Sequence, residues 1–182
     1  MYCFFDENLN REVINISPGE YFISEKGMLI HTLIGSYVSV VIYDPVLKAG
    51  GMNHFMVAKN SGAKVMRELL DGLMKKGSMK NDLKAKILGG SIFSEEDEAV
   101  ASSSLCLAEE FLESENIAIT NRSTGGDKVR KIYYYPDSFK VLIGKLKYPV
   151  PDLDKQMAEY RRRLNLKKTS ESSKKINLAK LF

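Results

Sequence analysis

Three side chains with acid–base or nucleophilic chemistry lie near one another in the sequence: His31, Tyr37 and His54. The two histidines are the only ones in the chain. An imidazole can accept and donate a proton near neutral pH. A phenol with a pKa of about 10 is mostly neutral at pH 7, whereas a thiol with a pKa of about 8.5 is already a few per cent thiolate. Tyr37 is therefore a poor nucleophile for an amide carbonyl group.

Hydrophobic patterning predicts strands around these residues. Short strands are predicted at Tyr21–Ser24 and Met28–Leu33, and a longer one at Ser36–Tyr43. Both faces of Ser36–Tyr43 are largely apolar, which is typical of a strand buried on two sides. A further strand, Met52–Val57, follows the turn-forming stretch Ala49-Gly50-Gly51.

Helices and further strands are predicted for the remainder of the chain. Apolar residues at helical spacing predict a helix over Ser61–Lys76, and Gly77 is a suitable stop. A second helix is expected to begin between Glu95 and Glu98 and to end near Glu115, with acidic residues in its first turn. The other predicted elements are strands at Ala85–Phe93, Ile117–Thr120, Arg130–Tyr135 and Ser138–Ile143, and a last helix with Asp152 as its N-cap.

Size and composition indicate an ordinary globular protein. A chain of 182 residues, 44% hydrophobic and 27% charged, is most simply one folded domain. No apolar run approaches the roughly 20 residues that cross a bilayer, and Cys3 and Cys106 form no recognisable disulfide or zinc framework. These features favour a cytoplasmic location without membrane insertion. The stretch from Arg161 to Lys180 is strongly basic, but no motif beside it indicates binding to nucleic acid.

Four sequence blocks, in order, resemble the chemoreceptor glutamine deamidases of bacterial chemotaxis, the CheD family. They are Ile30–Pro45, Gly50–Met56, Lys86–Ser91, and Thr124–Gly126 followed by Arg130-Lys131. The resemblance implies an α/β (α+β) fold, a single three-layer α-β-β-α domain over residues 1–150. A C-terminal helix at residues 151–166 and a flexible basic tail with an apolar end at residues 167–182 are expected to follow it.

The resemblance also implies a catalytic site. The family uses a cysteine, a histidine and a threonine: a thiolate attacks the glutamine amide, the imidazole moves the protons, and a polar group orients the imidazole. His54 matches the family histidine, Tyr37 stands at the cysteine, and His31 stands at the threonine. Thr32 is expected to point to the opposite face. The matching blocks supply the candidate binding residues Gly35, Ser36, Asn53, Gly89, Gly90, Thr124, Gly125 and Gly126.

These departures predict a pseudoenzyme. Two of the three catalytic positions differ, and Ala101–Ser104 stands where the family carries a polar Gly-Glu-Arg-Asn-type element. The leading hypothesis is therefore a chemotaxis protein that binds the cytoplasmic domain of a chemoreceptor or a CheC-type phosphatase without deamidation and without a cofactor.

Two alternatives remain open. One is an active deamidase with a noncanonical nucleophile, Tyr37 itself or a repositioned Cys3. The other is a metal or small-ligand site between His31 and His54, since two imidazoles and a phenol can bind a transition metal. The leading hypothesis predicts no metal.

Overall fold

The computed structural model describes residues 1–24, 27–57 and 61–163. Within these ranges, residues 1–150 contain two five-stranded sheets and two α-helices. Sheet A has the order β1 (Tyr2–Asp6), β2 (Arg11–Asn15), β4 (Leu29–Ile34), β9 (Lys128–Tyr135), β10 (Lys140–Lys147). Sheet B has the order β3 (Glu20–Ser24), β6 (Ala49–His54), β5 (Val38–Asp44), β7 (Lys84–Gly89), β8 (Ala118–Thr124). The helices are α1 (Ser61–Lys75) and α2 (Glu95–Ser114).

Helices α1 and α2 both cover the same face of sheet B. The apolar stripes of the two helices and the strand residues beneath them form one core. Helix α2 begins after Ser94, whose side chain accepts a hydrogen bond from the backbone N–H of Asp97. This confirms the two helices that periodicity predicts. The core includes Val38, Val40, Ile42, Met66, Leu69, Leu73, Ile87, Ala108, Phe111 and Leu112.

A second core lies between the two sheets. It joins side chains of sheet A to side chains of sheet B, so the layer order in residues 1–150 is helices, sheet B, sheet A. The predicted mixed α/β fold class with paired sheets is confirmed. The members of this core include Ile14, Ile16, Ile30, Ile34, Val41, Met52, Leu88, Ile132 and Tyr134.

Strand β5 begins at Val38, two residues later than the predicted strand Ser36–Tyr43. Residues Gly35–Tyr37 instead form a bend that carries the chain from β4 in sheet A to β5 in sheet B. Side chains therefore do not alternate continuously from β4 through Tyr37 to β5, because regular alternation holds only within a strand.

The described residues 151–163 belong to a second unit and are helical. The helix begins at Pro151, so Asp152 lies inside its first turn and is not its N-cap. Proline suits this first position because it has no amide hydrogen to leave unpaired. The predicted end of this helix at residue 166 and the tail at residues 167–182 lie outside the described residues. None of the helices described is both long and apolar enough to cross a membrane.

Candidate active site

The two faces of β4 separate the neighbouring residues His31 and Thr32. His31 is on the outer face of sheet A, where its ring contacts Phe4 and Tyr133. Thr32 points between the sheets, to His54 at the end of β6. Because successive side chains of a strand point to opposite faces, only one of the two can reach His54.

A hydrogen-bond chain fixes the tautomer of His54. The hydroxyl oxygen of Thr32 lies 2.9 Å from the carbonyl oxygen of Ile16 and 2.9 Å from Nδ1 of His54. The carbonyl can only accept, so the hydroxyl donates its one hydrogen there and accepts the Nδ1–H of His54. Nε2 of His54 then keeps its lone pair, and it is buried without a hydrogen-bond partner among the described residues.

Burial keeps His54 neutral. The residue is 0% exposed, and desolvation lowers the pKa of its imidazole to about 3. A neutral ring with Nδ1–H held by a hydroxyl and a free lone pair on Nε2 is the form that a general base requires. The geometry therefore orients the imidazole as a proton acceptor, and its low pKa makes it a weak base at neutral pH while the site is closed.

Side-chain hydrogen bonds position this end of β6. Oδ1 of Asn53 accepts the backbone N–H of Val40 at 2.7 Å, and the carbonyl oxygen of Asn53 accepts the hydroxyl of Ser39. These bonds link β5 to β6 beside His54, and all of the groups involved are buried. Asn53, predicted as a binding residue, thus supports the histidine from the neighbouring position.

Tyr37 fills the space next to the imidazole. Its side chain is 1% exposed, and its ring meets the His54 ring edge-to-face with a centroid distance of 5.9 Å. Ser36, beside it in the bend, is also fully buried. The predicted neighbours Tyr37 and His54 are thus brought together, and the phenol ring occupies the place beside the base.

The glycine-rich blocks hold the bend that carries Tyr37. The carbonyl oxygen of Tyr37 accepts the N–H of Gly90 at 2.8 Å, and that of Gly35 accepts the N–H of Ser91 at 2.9 Å. A Cβ on Gly89 would lie 2.2 Å from the carbonyl oxygen of Tyr37, and φ of Gly89 is 110°. Only glycine fits there.

The turn after β8 braces the same segment. Gly125 donates its N–H to the carbonyl oxygen of Gly89 at 3.0 Å, and Gly126 accepts from Ile92 at 2.8 Å. Thr124 is exposed, directly opposite Gly89 in the ladder. The candidate binding residues of the last two blocks therefore act here through their backbones.

Arg130 joins the two sheets at this end of the molecule. From β9 it donates to the hydroxyl of Ser91 at 2.6 Å, the carbonyl oxygen of Gly125 at 2.7 Å and the hydroxyl of Ser123 at 3.3 Å. The side chain is buried, and desolvation lowers the pKa of its guanidinium below the ordinary value. In the sequence, Arg130 is recognisable only as part of a motif, and the motif does not predict this role.

Comparison with known proteins identifies the family. The family model described as CheD chemotactic sensory transduction matches residues 49–145. The protein named "Probable chemoreceptor glutamine deamidase CheD" of Herminiimonas arsenicoxydans is 35% identical over 159 residues, which cover 79% of this chain and 78% of that protein.

The chain belongs to the CheD family.

A second CheD relative, from Hahella chejuensis, is 32% identical over 158 residues, covering 79% of this chain and 75% of its own. Among solved structures, the Bacillus licheniformis hypothetical protein YfiH has a TM-score of 0.39 at 14% identity, covering 55% of this chain and 51% of its own.

The structure does not bring His31 to the side of His54. The residue that binds the imidazole of His54 is Thr32, whereas Nδ1 of His31 hydrogen-bonds Oδ1 of Asn15 at 2.7 Å on the other face of sheet A. The spacing of six residues before Tyr37 suggested His31, but the bend at Gly35–Tyr37 breaks the alternation between Tyr37 and β4.

The proposed metal site between the histidines is excluded by the same geometry, because a sheet separates the two rings. Burial, helped by the nearby Lys131 ammonium, lowers the pKa of His31 to about 4, and the Asp6 carboxylate opposes this shift. In the described ranges, no three His, Cys, Asp or Glu side chains cluster as metal ligands would.

Neither cysteine replaces the missing thiol in this structure. Cys3 is exposed in the edge strand β1, and Cys106 is exposed on α2, while His54 is completely buried. The thiol of Cys106 donates to the carboxylate of Glu110 at 3.3 Å, which raises the pKa of Cys106 and opposes thiolate formation.

The Ala101–Ser104 segment packs beside the site without providing its chemistry. Ala101 and Ser104 are buried, and the hydroxyl of Ser104 accepts the N–H of Val57 at 3.1 Å, three residues after His54. Ser102 and Ser103 line an open groove of about 410 Å³ with Val57, Cys106, Leu107 and Glu110.

Proposed function

We propose that this CheD-family protein is a chemotaxis binding protein whose glutamine deamidase chemistry has been lost. The observation that carries the proposal is the buried ring of Tyr37, edge-on to His54 at the position of the family cysteine. Its binding partner is the cytoplasmic domain of a chemoreceptor or a CheC-type phosphatase, and its place of action is the cytoplasm. The names of its relatives, which are chemoreceptor glutamine deamidases, support the chemotaxis assignment.

The chemistry of acyl transfer supports the loss of activity. Deamidation needs a nucleophile that attacks the amide carbon and then leaves from an acyl intermediate. The Thr32–His54 pair has an oriented imidazole, but a phenol ring lies where the thiol would be. The ring also fills the space that a glutamine side chain needs beside the imidazole.

The retained scaffold supports a binding role. The glycine blocks, Arg130 and Asn53 hold the bend and the end of β6 in place, although the nucleophile is absent. A surface that recognises a receptor does not depend on a thiol. Binding can therefore persist after turnover is lost.

Mass spectrometry of chemoreceptor fragments tests this proposal. The purified full chain is incubated with receptor cytoplasmic fragments, and conversion of Gln to Glu is measured, with an active chemoreceptor deamidase as the positive control. We expect no conversion, together with retention of receptor or CheC-type phosphatase in a pull-down. Conversion that disappears in His54→Ala would overturn the loss of activity, and failure to retain either partner would overturn the binding role.

A further inference from the structure

The open end of the β9–β10 pair carries four cationic side chains on one face. Lys128 is directly opposite Lys147, and Arg130 is directly opposite Lys145. Residues two apart in a strand share a face, so all four side chains lie together. Like charges directly opposite each other destabilise a strand pair. Such a concentration of positive charge favours the binding of an anionic group.

Counter-ions for this cluster are scarce. In the described part of the chain, Asp127 is the one carboxylate paired with these cations, 3.0 Å from the Nζ of Lys128, and its side chain is 76% exposed. Lys145 and Lys147 are exposed. The Lys145 ammonium helps that of Lys128 to lower the pKa of Asp127, so this one exposed carboxylate is shared between two of the cations, and Lys147 makes no ion pair with described residues. Arg130 is 4% exposed, and its hydrogen bonds all go to neutral oxygen atoms. A buried cation without a carboxylate is costly.

Apolar side chains border the cationic cluster. Tyr148, next to Lys147, stacks on Phe93 with a centroid distance of 4.4 Å, and Tyr148 is 40% exposed. Ile92 is 41% exposed, and its N–H binds the carbonyl oxygen of Gly126, two residues before Lys128. The surface therefore combines positive charge with exposed apolar groups, as protein-binding surfaces do.

The orientation of the cluster favours a polypeptide over a lipid surface. The four cations lie on the face of the β9–β10 pair that carries Ile132 into the core between the sheets, so they point toward sheet B. They therefore lie in the corner between the end of this strand pair and sheet B. A narrow polypeptide segment can enter that corner, whereas a flat bilayer cannot. The corner also adjoins the candidate site, since Arg130 binds Ser91, and Ser91 binds Gly35 in the bend of Tyr37.

We propose that Lys128, Lys145 and Lys147, with Arg130 behind them, form a docking surface for an acidic polypeptide segment that also carries apolar side chains. This inference rests on the proposed function in that it names the surface by which the binding protein holds its partner. The acidic segment lies beside the bend at Gly35–Tyr37, so the partner is held next to the former catalytic position.

A charge-reversal pair with a matched control tests the surface. The probe is a fluorescein-labelled peptide of glutamates interrupted by leucines, and its binding to the full chain is measured by fluorescence anisotropy. K145E/K147E should bind at least about tenfold more weakly than the wild-type chain, and added salt should weaken wild-type binding. K75E/K84E makes the same change in net charge at exposed lysines elsewhere and should bind like the wild-type chain.

Backbone amide shifts then locate the contact. On addition of the peptide to the ¹⁵N-labelled full chain, we expect shifts at Lys128, Lys145 and Lys147 and at Ile92. Three results would overturn the inference. The first is equal weakening of peptide binding by both charge-reversal pairs, and the second is shifts only beyond residue 163. The third is that K145E/K147E abolishes binding to phosphatidylserine vesicles but leaves peptide binding unchanged. The assay contains no receptor and no turnover, so its failure leaves the glutamine conversion test unaffected.

Discussion

The two histidines of this chain occupy opposite sides of one sheet and differ in what holds them. His54 lies between the sheets, and its Nδ1–H is bound by Thr32, whose hydroxyl is itself committed to a backbone carbonyl. His31 lies on the outer face of sheet A, bound by Asn15 and packed among aromatic rings. Both rings are buried and neutral. Only the ring of His54 is oriented by a group, the Thr32 hydroxyl, that is itself held by a second hydrogen bond.

This difference separates a base from a packed side chain. Burial alone lowers the pKa of both imidazoles, to about 3 for His54 and about 4 for His31, so a shifted pKa does not identify the functional one. The surroundings of the ring do. Nε2 is the unprotonated nitrogen in both histidines, but only His54 lies beside Tyr37 and is held by a hydroxyl that is committed to a backbone carbonyl. The following predictions test how far the two histidines differ.

The largest expected effect follows Tyr37→Cys. In a chain that also carries Cys3→Ser and Cys106→Ser, the new thiol lies next to the lone pair of His54. We expect labelling by iodoacetamide, measured by peptide mass spectrometry, to be about a hundredfold faster than in the same chain with His54→Ala. The smaller side chain opens the site to water, so the pKa of His54 rises toward its ordinary value and the positioned imidazole can activate the thiol. His31→Ala is the matched control and should leave the rate unchanged. Equal rates with and without His54 would contradict the assignment of a base.

Acid should destabilise the fold through both histidines, and the pH at which this destabilisation stops should differ between them. As the pH falls below about 6.5, each histidine is protonated in the unfolded chain but not in the folded one, so the free energy of unfolding falls by up to about 1.4 kcal/mol per pH unit for each residue. The folded His31 begins to accept a proton near pH 4 and His54 near pH 3, which ends the loss there.

Urea unfolding between neutral pH and pH 4 measures this dependence. His54→Gln and His31→Gln should each flatten the curve relative to the wild-type chain, and near pH 4 the effect of His54→Gln should be the larger of the two. A wild-type slope unchanged in both variants would show that carboxylates alone cause acid destabilisation.

A smaller difference is expected between the partners of the two imidazoles. Thr32→Val leaves both the carbonyl of Ile16 and the Nδ1–H of His54 without a partner, so it should lower the free energy of unfolding by about 3 kcal/mol. Asn15→Leu removes the partner of one group, Nδ1 of His31, and should cost about 1 kcal/mol. Urea unfolding at neutral pH compares them. A larger loss in the Asn15 variant would reverse the ranking of the two regions.

Local patterns in the sequence predict much of the fold. The apolar stripe of α1 and the acidic first turn of α2 are short-range signals, and both helices are where periodicity places them. Strands β1 and β2 are not predicted. β2 pairs in parallel with β4 at Val13 and Leu29, a contact between separated segments that no local pattern encodes.

The candidate site is only partly predictable for a related reason. Tyr37 and His54 meet as expected from the CheD motifs. The third catalytic position falls on His31 when six residues are counted back from Tyr37, and this count assumes one continuous strand. The chain leaves sheet A at Gly35 and enters sheet B at Val38, so the face of β4 is set by packing against Ile16 and His54. Only three-dimensional contacts distinguish Thr32 from His31.

The double hydrogen bond of Thr32 also implies an order in which this site can lose its parts. Replacing a cysteine by a tyrosine at position 37 removes a nucleophile and fills the space with an aromatic ring, so the packing survives. Replacing Thr32 by an apolar residue would leave two buried polar groups without a hydrogen-bond partner, the carbonyl of Ile16 and the imidazole of His54. Stability alone would therefore preserve Thr32 and His54 in a protein that has lost the reaction, as we propose for this one.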